Sequence, residues 1–403
     1  MSIRPWLSCG VAVAALSLQV SPSFAQKKYD PGASDTEIKI GQAMPYSGPA
    51  SSYGTIGRVE AAYFKKVNDE GGVNGRKIVF LSLDDGYTPP KAVEATRRLV
   101  EQDQVLLMFG SLGTATNTAV QGYLNARKVP QLFVTTGASK WNDPQHHPWT
   151  MGFQPNYHTE AVIYAKYILQ SKPNARIGVL YQNDDYGKDY LKGVKDGLGE
   201  MAAKMVVAEL TYEVTDATID GQIVQMHGMG VDVLIDATSP KFAAQAIRKA
   251  YDIGWKPLHF LNNTSISVGS VLAPAGLDKS VGLVTSLYGK DPTDPRWDGD
   301  AGMSAWRAFM KTYYPEGSLI DNANVFGYGQ ARTLVQVLKQ CGDNLTRENV
   351  MKQAASLRDF DTGVSFPGIT INTGPNDFAP IKSLQLARFD GKTWVPFGAV
   401  IGR

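Results

Sequence analysis

Short apolar runs alternate along this chain with longer stretches in which apolar residues recur every three to four positions. Short runs bounded by turn residues predict buried strands, and longer periodic stretches predict amphipathic helices. The helical period is clear in one stretch, at Ala92, Val93, Ala95, Thr96, Leu99 and Val100. Alternating strands and helices indicate βαβ units, so we predict an α/β fold with mainly parallel sheets and helices on both faces.

The pattern assigns most of the chain to regular elements. Strands are predicted at Ile38–Ala43, Lys77–Leu83, Val105–Phe109, Gln131–Val134, Arg176–Tyr181, Met205–Leu210, Val231–Ala237, Pro257–Leu261 and Leu384–Phe389. Helices are predicted at Ile56–Glu70, Pro90–Gln102, Thr114–Ala126, His158–Leu169, Gly187–Glu200, Ile219–Gly228, Lys241–Asp252, Ala301–Tyr314, Ala323–Cys341 and Thr346–Leu357.

The series of strands and helices is too long for one doubly wound domain. Prolines and aromatic residues crowd Trp141–Asn156, and a second series of strands begins at Ile177. This break predicts two α/β lobes, with the second beginning near Asn156.

The first 25 residues have the pattern of a secretory signal peptide. Arg4 gives a positive start, Val11–Val20 is apolar, and Ser23-Phe24-Ala25 resembles an A-x-A cleavage site. The alternative is a membrane anchor, but the apolar stretch is shorter than the roughly 20 residues that span a bilayer. We therefore predict cleavage after Ala25, export from the cytoplasm and no insertion into the membrane.

Composition excludes some classes of partner. Charged residues make up 19% of the chain, the net charge is +2, and there is no basic run. Nucleic acids and membrane surfaces are therefore not predicted as partners. Cleavage would leave Cys341 as the one cysteine, so a disulfide within the mature chain is not expected.

Two consecutive predicted strands open into small and hydroxyl-bearing residues. The run Val105–Phe109 leads into Gly110–Thr114, and Gln131–Val134 leads into Thr135–Ser139. Ligands of open α/β sheets bind beyond the carboxyl ends of the strands. Small residues let the backbone approach a ligand, and helix N-terminal amides suit an anion, so we predict a pocket for a small carboxylate. The alternative is that Thr114 and its neighbours only begin a helix with a polar face.

Several motifs resemble one known family in their order along the chain. They are Met44–Ala50 followed by Tyr53-Gly54, then Asn68–Arg76, then Leu180–Gly187. Together they resemble the leucine/isoleucine/valine-type periplasmic binding proteins, the solute receptors of branched-chain amino-acid ABC importers. The similarity runs from about residue 36 to residue 390.

This resemblance implies a specific architecture and a specific partner. We expect two Rossmann-like doubly wound lobes joined by three crossing strands, the hinge of a type I periplasmic binding protein. The N-terminal lobe would hold residues 36–155 plus 286–375, and the C-terminal lobe 156–285 plus 376–403. A monomer would close on its ligand and deliver it to an inner-membrane ABC permease.

The resemblance also implies the residues that bind the ligand. They are expected to be Tyr53, Leu112, Gly113, Thr114, Gly137, Ala138, Ser139, Tyr186, Thr264 and Phe326. Purely structural roles stay open for some of them: Tyr186 in a turn and helix cap, Tyr53 in surface packing and Phe326 in the core.

One departure from the family pattern bears on the ligand. Amino-acid-binding members place an acid that pairs with the ligand ammonium where this chain has Thr264, and Leu261–Ser267 contains neither Asp nor Glu. A buried ammonium without a counter-charge costs several kcal/mol. Either an acid from another segment pairs with the ligand ammonium, or the ligand has no ammonium. We favour the second, and therefore a benzoate- or phenylpropenoate-like acid of the kind known in the wider family, with a branched-chain or other hydrophobic amino acid as the alternative.

Catalytic and metal-binding motifs are not found in the sequence. His146-His147 are adjacent, the acidic residues Asp291–Asp300 lack calcium-loop spacing, and no G-x-S-x-G or phosphate-binding loop occurs. We therefore predict no enzyme activity, no cofactor and no metal. An exported hydrolase and the sensing domain of a membrane receptor remain the alternatives.

Overall fold

The computed structural model describes residues 1–3 and 27–402. The predicted signal peptide lies, from residue 4 onwards, outside the described residues. The strands are β1 (Lys28–Tyr29), β2 (Glu37–Met44), β3 (Lys77–Asp84), β4 (Leu107–Phe109), β5 (Gln131–Val134), β6 (Thr150–Gly152), β7 (Ile177–Gln182), β8 (Val206–Tyr212), β9 (Val233–Ala237), β10 (Leu258–Leu261), β11 (Val284–Leu287), β12 (Asn344–Leu345), β13 (Leu384–Phe389) and β14 (Trp394–Ile401).

Helices cover both faces of the sheets that these strands form. They are α1 (Gly54–Asp69), α2 (Pro89–Arg97), α3 (Thr114–Ala126), α4 (Tyr157–Ser171), α5 (Asp185–Leu198), α6 (Ala202–Met205), α7 (Asp220–Gly228), α8 (Pro240–Asp252), α9 (Ala273–Ala275), α10 (Ala301–Tyr313), α11 (Asn322–Cys341) and α12 (Arg347–Ala354).

The first lobe is built on a parallel sheet with the strand order β3-β2-β4-β5-β6. Residues of β4 and β5 are buried throughout, as expected for parallel strands covered on both faces. The chain runs from β2 to β3 on one side of β2 and then crosses back to β4 on its other side. The crevice between the carboxyl ends of β2 and β4 is therefore the switch point of this sheet.

The second lobe repeats the arrangement in the order β8-β7-β9-β10-β11, extended by β13 and β14. The first five of these strands are parallel, and β13 and β14 are antiparallel to their neighbours. Its switch point lies between β7 and β9.

Helices α10 to α12 follow a strand of the second lobe but pack on the first. Tyr63 of α1 lies edge-on to Phe309 and Tyr328, with ring centroids 5.8 and 5.1 Å apart. The chain thus passes between the lobes at residues 153–156, 288–291 and 372–382, which we call the hinge segments. The predicted two-lobed α/β class is confirmed, whereas the exact lobe boundaries stay a prediction.

The predicted elements agree with the structure to within a few residues, and Thr114–Ala126, Gln131–Val134 and Leu384–Phe389 agree at both ends. Strands β1, β6, β11, β12 and β14 were not predicted, and the first four of these have at most four residues, too few to show a period. Within the described ranges, no helix combines the length and apolarity that crossing a membrane requires. Cys341 ends α11 in the core of the first lobe, and burial raises its pKa to about 12.

Candidate functional site

A cavity between the two lobes, the cleft cavity, lies beyond the carboxyl ends of the strands at both switch points. Its volume is about 40 Å³. It is lined by Tyr53, Ile56, Tyr87, Leu112, Gly113, Thr114, Thr135, Gln154, Tyr157, Gln182, Tyr186, Ser239 and Thr264. Ligands of open α/β sheets bind at this position, so we take the cleft cavity as the candidate site.

The N-terminus of α3 forms part of the first-lobe wall. The chain leaves β4 at Phe109, turns through Gly113 with φ of 101°, and begins α3 at Thr114. Among the described residues, no side chain caps this helix. The first amides of a helix have no acceptor within it and carry a partial positive charge, so this wall can hold an anion.

Gly113 also fixes the position of a neighbouring aromatic ring. A Cβ atom at residue 113 would lie 2.6 Å from Cε2 of Tyr87 and 2.7 Å from Oγ1 of Thr116. Tyr87 itself has a left-handed backbone, with φ of 60°. The close approach of the Tyr87 ring therefore depends on the absence of a side chain at Gly113.

Tyrosine rings form much of the remaining surface. Tyr157 lies edge-on to Tyr186 with 5.0 Å between centroids. Tyr186 is 5% exposed, and its hydroxyl has no hydrogen-bond partner in the described part of the chain. Burial raises the pKa of Tyr186 well above its ordinary value, so this hydroxyl stays protonated. An unpartnered buried hydroxyl costs about 1–3 kcal/mol, which a polar ligand atom would relieve.

Side chains of the two lobes contact each other across the cleft. The Tyr53 hydroxyl lies 3.1 Å from the backbone oxygen of Thr264 and 3.3 Å from its Oγ1. Nε2 of Gln182 lies 3.4 Å from the Tyr87 hydroxyl. The structure therefore represents a closed arrangement of the lobes.

A buried carboxylate holds the turn that carries Thr264. Glu160 of α4 accepts hydrogen bonds from the backbone N of Asn263 at 3.0 Å and from its Nδ2 at 2.7 Å. Tyr164, Tyr190 and Ser286 also donate to Glu160. Burial raises the pKa of Glu160 to about 7 despite these donors.

No charged side chain is among the described residues that line the cleft cavity. Asp184 lies behind the wall, where it accepts a hydrogen bond of 2.7 Å from Nε2 of Gln182 and one of 3.3 Å from the Gly187 amide. Burial raises the pKa of Asp184 to about 6. The lining itself offers hydroxyls, amides, aromatic rings and a helix N-terminus.

The structure brings together most, but not all, of the residues that the sequence predicts for the site. Those that line the cleft cavity are Tyr53, Leu112, Gly113, Thr114, Tyr186 and Thr264. Those that lie outside it are Gly137, Ala138, Ser139 and Phe326.

The second predicted opening, after β5, is occupied by the protein itself. The amide and hydroxyl of Ser139 lie 2.6 and 2.9 Å from the carboxylate oxygens of Asp189 in α5. A Cβ atom at Gly137 would lie 2.1 Å from the backbone oxygen of Pro155, so this glycine is packed against a hinge segment. Ala138 is buried beside these residues. Ser139 therefore does bind a carboxylate in this structure, but the carboxylate belongs to Asp189 of the other lobe and not to a ligand.

Phe326 does not line the cleft cavity. It packs against the cluster of Met44, Ile56 and Leu112, but it lines a different cavity at the hinge. The core role that the sequence left open for this ring agrees with its position better than direct lining of the cleft.

The sequence did not reveal several residues of the lining. They are Ile56, Tyr87, Thr135, Gln154, Tyr157, Gln182 and Ser239. Gln182 ends β7, Thr135 follows β5, and Ser239 follows β9 by two residues. Because these three residues lie at the ends of predicted strands, the sequence pattern could have placed them in the ligand crevice. Tyr87 depends on a left-handed turn that no periodicity predicts.

Comparison with known proteins identifies the family of the chain. The model of the periplasmic binding protein family matches residues 37–393. The Leu/Ile/Val-binding protein homolog 1 of Brucella abortus (strain 2308) is 24% identical over 351 residues, which cover 86% of this chain and 87% of that protein. The homolog 4 of the same organism is 22% identical over 412 residues, covering 96% of this chain and 89% of that protein.

Solved structures share the fold. A branched-chain amino acid ABC transporter protein from Thermus thermophilus with bound valine superposes with a TM-score of 0.82 at 15% identity, covering 91% of this chain and 97% of that chain. A fatty acid ABC transporter substrate-binding protein from Thermomonospora curvata gives a TM-score of 0.76 at 23% identity, with coverage of 93% and 95%. The chain therefore belongs to the periplasmic binding protein family, and within it is similar to Leu/Ile/Val-binding protein homologues.

Proposed function

We propose that this chain is the extracytoplasmic receptor of an ABC importer and captures a small carboxylate with an apolar or aromatic body and no ammonium group. The observation that carries the proposal is the lining of the cleft cavity, which offers a helix N-terminus and hydroxyls but no charged side chain among the described residues.

A carboxylate suits this lining for electrostatic reasons. The uncapped amides at Thr114 and the free hydroxyl of Tyr186 can donate to its oxygens. Hydrogen bonds to an ionised acceptor are roughly twice as strong as neutral ones. An ammonium in the same space would lack a counter-charge on the lining, and such a charge costs several kcal/mol.

The rings of Tyr53, Tyr157 and Tyr186 would cover the apolar body of the ligand. Burial of apolar surface contributes about 25 cal/mol per Å². Tyr157 and Tyr186 belong to the second lobe, whereas Tyr53 and the α3 N-terminus belong to the first, so a ligand contacts all of them only when the lobes are closed. Binding would then shift the population towards the closed form, which the permease receives.

The second candidate ligand is a branched-chain or other hydrophobic amino acid. It is favoured by Asp184, a carboxyl that lies directly behind Gln182 of the lining. A rotation of Gln182 would expose this acid to a ligand ammonium. The structure neighbour with bound valine is consistent with this alternative, and the fatty acid transporter neighbour is consistent with an acid that has no ammonium.

Calorimetric titration of the mature protein tests the proposal. We expect benzoate, hydroxybenzoates, cinnamate or phenylacetate to bind more tightly than leucine, valine or phenylalanine. Tight binding of leucine with no response to the acids would overturn the ligand class and leave the family assignment intact.

Two variants test the residues of the site. Tyr186→Phe should weaken binding of the best acid about fivefold to tenfold, since one hydrogen bond contributes about 1 kcal/mol. Thr118→Val on the same lobe as Thr114 is a control, because its hydroxyl lies outside the lining of the cleft cavity, where it donates to the Thr114 backbone oxygen at 2.8 Å and accepts from Nζ of Lys140 at 3.1 Å. Equal affinities of Tyr186→Phe and wild type would show that the hydroxyl faces no ligand atom.

A further inference from the structure

A second cavity, the hinge cavity, lies beside the hinge segments and is larger than the cleft cavity. Its volume is about 60 Å³. Its walls include Phe153, Tyr288 and Ile381 of the hinge segments, Phe326 and Val364 of the first lobe, and Trp394 of the second. Because both lobes and every hinge segment supply a wall, its shape depends on the angle between the lobes.

The chemistry of the hinge cavity favours an uncharged group. Lys290 lines it, but its Nζ lies 2.8 Å from both carboxylate oxygens of Asp300. Asp291 also lines it, and its Oδ2 accepts from Oγ1 of Thr393 at 2.8 Å and from the Trp394 amide at 3.1 Å. Lys290 is thus ion-paired and Asp291 is hydrogen-bonded within the protein, and the rest of the wall is mostly apolar.

The Phe326 ring links the walls of the two cavities. It lines the hinge cavity, and it packs against the cluster of Met44, Ile56 and Leu112, of which Ile56 and Leu112 line the cleft cavity. On the hinge side it lies edge-on to Phe153 and Tyr288, with centroids 5.7 and 6.3 Å away. Phe326 is only partly buried and contacts residues of both walls, so it is the side chain that a ligand occupying both cavities would have to displace.

We propose that the hinge cavity receives the apolar tail of the ligand whose carboxylate lies at Thr114. This inference rests on the proposed function and narrows the ligand to an amphipathic acid that extends past Phe326. An apolar cavity of about 150 Å³ takes a benzene ring, and the cleft cavity of about 40 Å³ together with the hinge cavity of about 60 Å³ comes nearer to that size than the cleft cavity alone. A tail in the hinge cavity would also contact both lobes and stabilise their closed arrangement.

A series of straight-chain acids tests the tail. Butyrate, hexanoate and octanoate are titrated into the mature protein by calorimetry. Each added methylene should raise the affinity about fourfold while the tail fills the hinge cavity, as expected for burial of a CH₂ group. An affinity that stays constant along the series would overturn the proposal.

Variants that fill the hinge cavity sharpen the test. Ile371→Phe places a larger side chain in the wall and should lower octanoate affinity at least tenfold while changing butyrate affinity less than twofold. Gly329→Ala is a milder change, since its added methyl would lie 3.1 Å from Cγ2 of Val364, and should act in the same direction. Ile320→Phe makes the same change as Ile371→Phe at a residue that is 47% exposed, and should leave both affinities unchanged.

The outcomes separate this inference from the proposed function. If aromatic acids bind but neither cavity-filling variant affects octanoate, the tail proposal fails and the proposed function stands. If an uncharged probe such as benzene binds without competing with octanoate, the hinge cavity is an independent site and the tail proposal also fails. If no carboxylate binds, both fail.

Discussion

Gly113 shows how one residue shapes the site. Its φ of 101° is a conformation that side chains rarely adopt, and the Tyr87 ring occupies the space where a Cβ would stand. Both features are needed for the loop between β4 and α3 to turn its amides towards the cleft. Position 113 therefore requires glycine for two reasons, the left-handed backbone and the contact with the Tyr87 ring.

We expect Gly113→Ala to lower the free energy of unfolding by about 1–3 kcal/mol, because it adds backbone strain and a steric contact. Thermal or urea unfolding of the ligand-free protein measures the change. Gly122→Ala in α3 is the matched control, since no atom lies within 4 Å of its added methyl. That control should raise stability by about 0.5–1 kcal/mol.

The raised pKa of Glu160 predicts that the stability of the protein depends on pH. Its pKa is raised to about 7 by burial, so the folded protein holds this proton more tightly than the unfolded chain does. Between pH 4.5 and 7 the unfolded state loses the proton first, and the free energy of unfolding should fall with rising pH by an amount on the order of 3 kcal/mol. Urea unfolding across this range measures the slope. Glu160→Gln should remove this part of the slope, and an unchanged slope would contradict the raised pKa.

At the scale of elements, periodicity predicted most helices and strands because each buries one face or is buried on both. Strand ends predicted the wall around Leu112, Gly113 and Thr114, since the carboxyl ends of parallel strands form the ligand crevice. The sequence could not show that Asp189 of another lobe would occupy the opening at Ser139. That contact joins residues 50 positions apart and follows only from the closed arrangement.

The contact between Ser139 and α5 should favour closure. We expect Asp189→Ala to weaken ligand binding about tenfold, because the closed form loses hydrogen bonds to a carboxylate while the open form loses none. Titration with the best-bound acid measures the effect. Asp196→Ala is the control on the same helix, since Asp196 pairs with Lys192 and His158 within the second lobe. Equal affinities of the two variants would show that the contact does not contribute to closure.

At the scale of the whole molecule, the lobes meet through Tyr53 and Thr264, through Tyr87 and Gln182, and through Ser139 and Asp189. The first two pairs line the cleft cavity, and the third lies beside Gly137, which packs against the hinge segment at Pro155. We therefore describe closure as a rotation of the two lobes about the hinge segments. The ligand adds contacts to both lobes only in the closed state.

Ligand binding should stabilise the folded protein by mass action. At a free ligand concentration 100 times the Kd, the free energy of unfolding is expected to rise by about 2.7 kcal/mol. Differential scanning calorimetry at increasing concentrations of the best acid measures this rise. A melting temperature that does not depend on ligand concentration would contradict a site formed by the folded lobes.

The buried thiol of Cys341 makes this chain suitable as an optical sensor. The only other cysteine, Cys9, lies in the predicted signal peptide, and the pKa of about 12 keeps Cys341 protonated and unreactive towards maleimide dyes. A cysteine introduced at the exposed Asn183, beside the cleft, would therefore carry a fluorophore at one defined position. Its emission would report the approach of the lobes in real time and allow a solute library to be screened without removing the native cysteine.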